Sequence, residues 1–436
     1  MALKKVELSY GEGKIALHIP ESNLAGFIKP VSPEKRLKPA EAFQAALDDP
    51  VDGRRLEDII AGKKACVTIE DYSRSEPHEA IVSALSKRLG KASMVQYIVA
   101  TGTHNPVDER NLKIKSMIEE IAGNFGLNFN VDINTSRESE RFKYVGTTAR
   151  GTEVRVNKKA IDADVFITAA DMKPHYFAGY SAANKHFLPG ISAFDTVRVN
   201  HCGLIKDRKS NYGRHPWHYD EKRRDNPLAQ DMLDAMNLVV RDRPVYTQAT
   251  INDAGDILWC KFGPIEPVTR AGIKRADELY SFSVKPVRHL VASPGGSAAD
   301  SYLYTGIRAM ELTLEAVQQG GEVLWLSKCA DGIHTGITQQ VVEDFHDAMK
   351  MDLQSLSDWL DRPDVKFHTY KAYRFKRLFE KIRILGYSSL SDDILKSVDI
   401  EPVNDPQSVI DGWLQDNPDD KILFVDKANK LAVYGA

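Results

Sequence analysis

The chain has 436 residues, more than one ordinary core accommodates, so two or three domains are expected. Hydrophobic residues make up 42% and charged residues 27%, the balance of a globular chain in water. A formal net charge of −3 leaves no global basic field for nucleic acid or an anionic membrane, and the cluster Lys222, Arg223, Arg224 reads as a solvated face.

Two short runs, 5–9 and 14–18, flank Tyr10-Gly11-Glu12-Gly13 and predict a β-hairpin. Apolar, β-branched runs then predict strands over 64–69, 94–100, 164–168, 238–241, 289–293, 322–327, 382–387 and 421–425. Helical patterns fall between them, over 79–89, 112–122, 228–236, 268–281, 306–319 and 341–349. A second antiparallel pair brackets Asn252–Gly255, and 405–420 reads as helix plus loop. The alternation predicts an α/β fold: two α/β domains with mainly parallel sheets and an interdomain active-site cleft. Val284-Lys285-Pro286 marks the expected boundary, giving domains 1–280 and 281–436, with the last strand free to return to the first.

No run of about 18 apolar residues offers a membrane span, and MALKKVELSY lacks the apolar core of a signal peptide. Cys66, Cys202, Cys260 and Cys329 form no CxxC pair, so neither a disulfide framework nor a structural zinc site is indicated. A cytoplasmic protein is the expectation.

Ligand sites of open α/β sheets lie at the carboxyl ends of the strands. Three predicted strands end in polar or titratable residues there: Asp71, Ser73 and Arg74; Thr101, Gly102 and His104; then Asp171, Lys173, His175, Ser181 and Lys185, with His201 following. Each has an ordinary structural explanation. Asp71 could cap a helix, Arg74 could be its surface ion-pair partner, and His104 could close a turn. Their convergence on one rim favours function. No GxGxxG opens a helix after a strand, and P-loop, HExxH and GxSxG motifs are missing, which removes the common nucleotide, zinc-protease and esterase readings. What is left is a histidine-rich site with one lysine in a small-residue loop, suited to a borderline metal or to proton transfer near neutral pH.

The motifs DYSRSEP (71–77), VATGTHNP (99–106), HYFAGYSAANKHFLPG (175–190) and VNH (199–201) make the chain resemble the nickel-pincer-nucleotide-dependent lactate racemase family of 2-hydroxyacid racemases and epimerases. NPLAQDML (226–233), PGGSAADSYLY (294–304) and SKCADGIHTG (327–336) extend the resemblance over nearly the whole chain. The resemblance implies a pyridinium-3-thioamide-5-thiocarboxylate mononucleotide holding nickel, tethered to Lys185, with His201 as the nickel ligand. It implies His104 and His175 as the acid/base pair, Asp71 and Arg74 as substrate organisers, and Thr101, Gly102 and Ser181 as cofactor-binding residues. The implied partners are a small 2-hydroxyacid and the cofactor-biosynthesis proteins. The chemistry is coherent: moving the C2 hydrogen as hydride avoids a carbanion, and two enantiomers need a base on each side.

The chain departs from the family at two places. GYSAANK stands where GYSGGRK is common, so Ala182-Ala183-Asn184 replace Gly-Gly-Arg. GGSAADSYLYT stands where GGxPKDxNLYQ is frequent, so Ala299 replaces a lysine and Thr305 a glutamine. Ser297, Ser301 and Tyr302 line up as a hydroxyl-rich wall, pointing to a larger or more polar substrate such as a sugar acid. Two other readings stand beside this one. One is a metal hydrolase with His104, His175 and His201 as zinc ligands; the other is a non-catalytic ligand-binding homologue. His215 and His218 fit a gating loop or an ordinary surface loop equally, and Trp359 a cavity wall or a helix core.

Overall fold

The computed structural model describes residues 2–33, 35–74, 76–334 and 339–436. Ser75 of the 71–77 motif, and Thr335 and Gly336 of the 327–336 motif, lie outside the described residues. Among the described residues no helix is long and apolar enough to cross a membrane. The fold is α/β with mainly parallel sheets, and two compact units divide it: Pro33–Ala276, and Met1–Ser32 with Asp277–Ala436.

The expected domain 1–280 thus starts too early. Strand Leu24–Ile28 pairs in parallel with Ile422–Val425 at the edge of the second unit's six-stranded sheet. The hairpin Leu3–Tyr10/Gly13–Pro20 buries Val6, Leu8, Leu17 and Ile19 in one core with Val291, Leu324 and Phe424. Burial of this apolar face, not chain order, assigns the N-terminus to the C-terminal unit. The closing strand Ala432–Gly435 stays there too, paired with Ser281–Val284.

In Pro33–Ala276 the sheet order is Asp256–Pro264, Val245–Asp253, Val165–Asp171, Lys64–Glu70, Met94–Ala100, Phe129–Ile133. Numbered along the chain, this is 6-5-4-1-2-3, all parallel except the edge strand Asp256–Pro264. Order reverses between Lys64–Glu70 and Val165–Asp171, which pair through Ala65–Thr68 and Val165–Thr168. A doubly wound sheet opens its ligand crevice at such a switch point. Val165–Asp171 is buried along its whole length, so its polar chemistry is displaced to the loop beyond its carboxyl end.

Two predicted elements take other forms. Leu238–Arg241 is not a strand but the last turn and end of helix Pro227–Val240. Asn226 caps that helix, Pro227 starts it, and Val239 and Val240 complete its buried face. The strand begins at Val245 instead. The helix expected over 306–319 breaks into Leu303–Gly306 and Arg308–Thr313, and Val317 already opens strand Val317–Leu326. A side chain on Gly306 would meet Ser327 and Trp325, and its glycine permits that close seat.

Because Leu17 is buried beneath the C-terminal sheet, Leu17→Ala should destabilise that unit by about 2–5 kcal/mol. Chemical denaturation followed by the fluorescence of Trp325 and Trp413 should register it, with little change in the spectrum of residues 33–276.

Candidate functional site

Three loops leave the carboxyl ends of adjacent strands at the switch point. The first follows Lys64–Glu70. Asp71 is buried and places Oδ2 2.6 Å from His104 Nδ1, while its Oδ1 accepts from the Ser73 hydroxyl at 2.6 Å. His104 arrives on the turn after Met94–Ala100, whose strand is in register with Lys64–Glu70. Its side chain is 47% exposed against 3% for Asp71, so the carboxylate is the fixed partner and the imidazole reaches out. Burial alone would raise Asp71, but the His104 charge and hydrogen bond, with Arg74 and Ser73, outweigh it and hold the carboxyl below its usual range. Asp71 is not a helix cap: the next helix, His78–Ser86, begins after Pro77.

Arg74 lies among Glu70, Asp71, Asp171 and Glu76, whose negative field outweighs its burial and keeps the guanidinium firmly charged. The carboxylates are not equivalent. Glu70 is held below its usual range: burial opposes this, but His186, Arg74 and Lys173 prevail. Glu76 goes the other way. Burial, then Glu70 and Asp171, push it well above the usual range, and its Oε1 accepts from the Thr250 hydroxyl at 3.0 Å. Asp171 pairs with Lys173.

The second loop, after Val165–Asp171, is a hairpin: Lys173–His175 pairs with Gly179–Ser181. Gly179 is required there. Its φ is +79°, and a Cβ would stand 1.7 Å from the Arg214 carbonyl oxygen. His175 sits at the hairpin tip, where its Nδ1 accepts the Ala178 amide at 3.3 Å. Its ring meets Phe177 edge-on at 4.5 Å. Phe177 also meets His201 edge-on at 5.1 Å, and Lys185 Nζ lies 5.8 Å from the same ring. Phe177 is therefore the surface on which His175, Lys185 and His201 assemble, and the Asn226 amide fixes its carbonyl at 2.9 Å.

Lys185 lies on the short turn Ala183–His186 and is partly exposed. The preceding Ala182 adopts φ −147° and ψ 162°, an extended geometry that alanine takes without strain. Asn184 is buried, with Oδ1 3.4 Å from His215 Nε2. His215 Nδ1 accepts the Trp217 amide at 3.1 Å, so Nε2 carries the proton toward Asn184. His218 is buried beside Tyr180. Both histidines of this loop are thus interior groups. His201 projects from helix Phe194–Leu204, where burial and then the Lys185 charge push its pKa down to about 3. Its ring is neutral, the state in which imidazole binds metals.

Thr101 and Gly102 sit inside rather than on the rim. The Thr101 hydroxyl donates to the Asn134 carbonyl, and the Gly102 amide donates to Gly190 at 3.0 Å. Ser181 is buried in the hairpin opposite Lys173. Trp359 and His334 belong to the other unit, where His334 packs against Tyr304 at 4.2 Å. Sequence reasoning passed over Phe177, Asn200 and Glu76. All three lie within the family-like motifs, which is the one signal that could have found them.

Residues 10–213, a span containing every side chain from Asp71 to His201, match the family model of the lactate racemase N-terminal domain. The lactate racemase of Thermoanaerobacterium thermosaccharolyticum is 26% identical over 336 residues, 76% of each chain. That of Lactiplantibacillus plantarum is 24% identical over 410 residues, 91% of each. The solved lactate racemase apoprotein from Thermoanaerobacterium thermosaccharolyticum superposes with a TM-score of 0.85 at 22% identity, over 99% of this chain and 100% of that one. A crystal structure from Thermotoga maritima superposes at 0.63 and 15% identity, over 91% and 97%.

His201 and His215 both stay neutral down to a pKa of about 3, whereas an unfolded histidine protonates near pH 6.5. As pH falls below about 6.5, the unfolded state binds protons that the folded state refuses, so stability declines, by roughly 1 kcal/mol per pH unit for each ring until about pH 3. Urea midpoints between pH 7 and pH 4 should show this slope, and His215→Gln should flatten it.

Proposed function

We propose that this chain, a member of the lactate racemase family, is an isomerase that inverts C2 of a 2-hydroxyacid larger or more polar than lactate, such as a sugar acid. Its cofactor in this reading is a nickel-pincer nucleotide tethered to Lys185. The observation that carries the reading is the Asp71–His104 pair at the switch point, a carboxylate-held base where a small substrate would bind.

The residues suit the group. His201 is a neutral, buried imidazole, and Lys185 shares the Phe177 ring with it. Among the described residues no three His, Cys, Asp or Glu side chains are grouped to hold a metal alone. A metal beside His201 would need its other donors from a bound molecule, and the sulfur-bearing nucleotide has them. The same grouping disfavours a zinc hydrolase built on His104, His175 and His201. Lys185 and His201 would hold the cofactor and its nickel.

When bound, that cofactor supplies the acceptor for the C2 hydrogen. The chain supplies the proton chemistry. Asp71 accepts the proton of His104 Nδ1, which leaves the Nε2 lone pair to take a hydroxyl proton. The Ala178 amide occupies Nδ1 of His175, so that ring exchanges its proton at Nε2. The two imidazoles thus begin in opposite tautomers, His104 able to take a hydroxyl proton at Nε2 and His175 presenting an Nε2–H to the substrate oxygen. Arg74 stays ionised and offers a fork to the substrate carboxylate.

The substrate assignment rests on the loop 294–304. Ala299 brings no cation where the family pattern has lysine. Ala298, at the position of the pattern's proline, has φ +68°, which a proline ring cannot adopt. The loop is reshaped as well as uncharged, consistent with hydroxyl rather than carboxylate recognition by Ser297, Ser301 and Tyr302.

The test is protein co-expressed with the cofactor-biosynthesis proteins, assayed for C2 inversion of lactate and of sugar acids by chiral chromatography. Sugar acids should epimerise faster than lactate is racemised. His104→Gln and His175→Gln should each lower kcat by roughly 10²–10⁴-fold. Lys185→Ala should lose the covalent adduct seen by intact-mass spectrometry. Turnover of lactate with sugar acids inert would overturn the substrate class. Loaded protein inert toward every 2-hydroxyacid would favour the non-catalytic homologue.

A further inference from the structure

The 226–233 motif contains a buried carboxylate, Asp231, that the proton chemistry of the site does not use. It lies on helix Pro227–Val240 and is fully buried. Three donors converge on it. Thr148 gives its hydroxyl to Oδ1. Thr152 gives its hydroxyl to Oδ2 at 2.8 Å, and Asn200 Nδ2 reaches the same Oδ2 at 2.8 Å. The Thr152 amide donates to the Thr148 oxygen at 3.1 Å, which commits the Thr148 hydrogen to the carboxylate.

This arrangement settles the orientation of the Asn200 amide. Nδ2 faces the Asp231 carboxylate and, at 3.5 Å, the Leu228 carbonyl. Both are acceptors, so a flipped amide would set Oδ1 against two oxygens in a site without exposure. Oδ1 must therefore face the other way, and it lies 3.0 Å from His201 Nδ1. An amide oxygen only accepts, so Nδ1 carries the hydrogen. A neutral imidazole has one N–H, and Nε2 is left with its lone pair.

We propose that Asp231 and Asn200 are positioning residues that fix His201 in the Nδ1–H tautomer, so that Nε2 is preset as a metal donor. The inference rests on the reading of His201 as the nickel ligand. Metal-binding histidines commonly give their second N–H directly to a carboxylate or carbonyl. Here the carboxylate acts at one remove, through an amide whose two ends cannot be exchanged. Asp231 binds neither metal nor substrate; it decides which end of Asn200 meets the ring.

The tautomer can be read in the full-length protein without cofactor, by long-range ¹H–¹⁵N correlation on ¹⁵N-histidine-labelled chain, with His201→Gln assigning the signal. Wild type should show Nε2 unprotonated. Asp231→Asn and Asn200→Leu should shift His201 to a mixture or to the Nε2–H form. Thr148→Val, which removes one donor and keeps the carboxylate, should leave the tautomer unchanged, and circular dichroism of each variant confirms folding. In co-expressed protein, Asp231→Asn should retain nickel about 10–100-fold less tightly while keeping the Lys185 adduct. An Nε2–H tautomer in wild type, or an unchanged tautomer in both folded variants, would overturn the proposal. Failure of the underlying reading looks different: His201→Ala would keep nickel at full affinity although the wild-type tautomer is as stated.

Discussion

A parallel sheet covered on both faces can display polar groups only where its strands end. Val165–Asp171 meets that constraint in full, being buried from first residue to last, and it lies beside Lys64–Glu70 at the point where strand order reverses. The two chains leaving these strands must share one rim. Four carboxylates gather there, on Glu70, Asp71, Glu76 and Asp171, and so many like charges cannot all persist in a partly dry site. The rim resolves the conflict by division. Glu70 and Asp71 are held below the usual range against His186, His104 and Arg74, Asp171 pairs with Lys173, and Glu76 is pushed above it. Asp71 is then free to do one thing, which is to hold His104.

That division makes Arg74 more than a lone cation. A guanidinium alone in a crevice would bind any carboxylate, including unproductive ones. Arg74 is already balanced by the rim, so any further anion there would gain only the difference between itself and the neighbours it displaces.

The distance along the chain between partners decides how much of this was legible in the sequence. The alternation of strands and helices is a local pattern, and it placed Lys64–Glu70, Met94–Ala100 and Val165–Asp171 within a few residues. Strand ends then named His104 and His175. Local pattern misled where two structures share it: Val239-Val240 closes a helix although the pair is β-branched, because Asn226 and Pro227 had already fixed the helical phase. Pairings across the fold carried no signal. Asp71 meets His104 at a separation of 33 residues, and Asn200 meets Asp231 at 31. The N-terminal strand Leu24–Ile28 crosses most of the chain to reach Ile422–Val425, and nothing in its own residues says which sheet it will join.

The family motifs named residues that sterics can now sort. Gly179 and Gly190 are kept, and both are places where a Cβ would strike a backbone carbonyl, at 1.7 Å and 2.3 Å. The changes before Lys185 are of another kind: Ala182, at a glycine position of the pattern, holds an extended backbone that needs no glycine, and Asn184, at its arginine position, has His215 as a partner. The loop before Lys185 departs from the family pattern without a residue at positive φ. The 294–304 loop has done the reverse, replacing a proline position with Ala298 at a positive φ and losing a cation at Ala299. A left-handed alanine costs of order 1 kcal/mol or more and persists only where the surroundings hold it. Of the two departures from the family pattern, only the one at 294–304 carries a residue in the left-handed region.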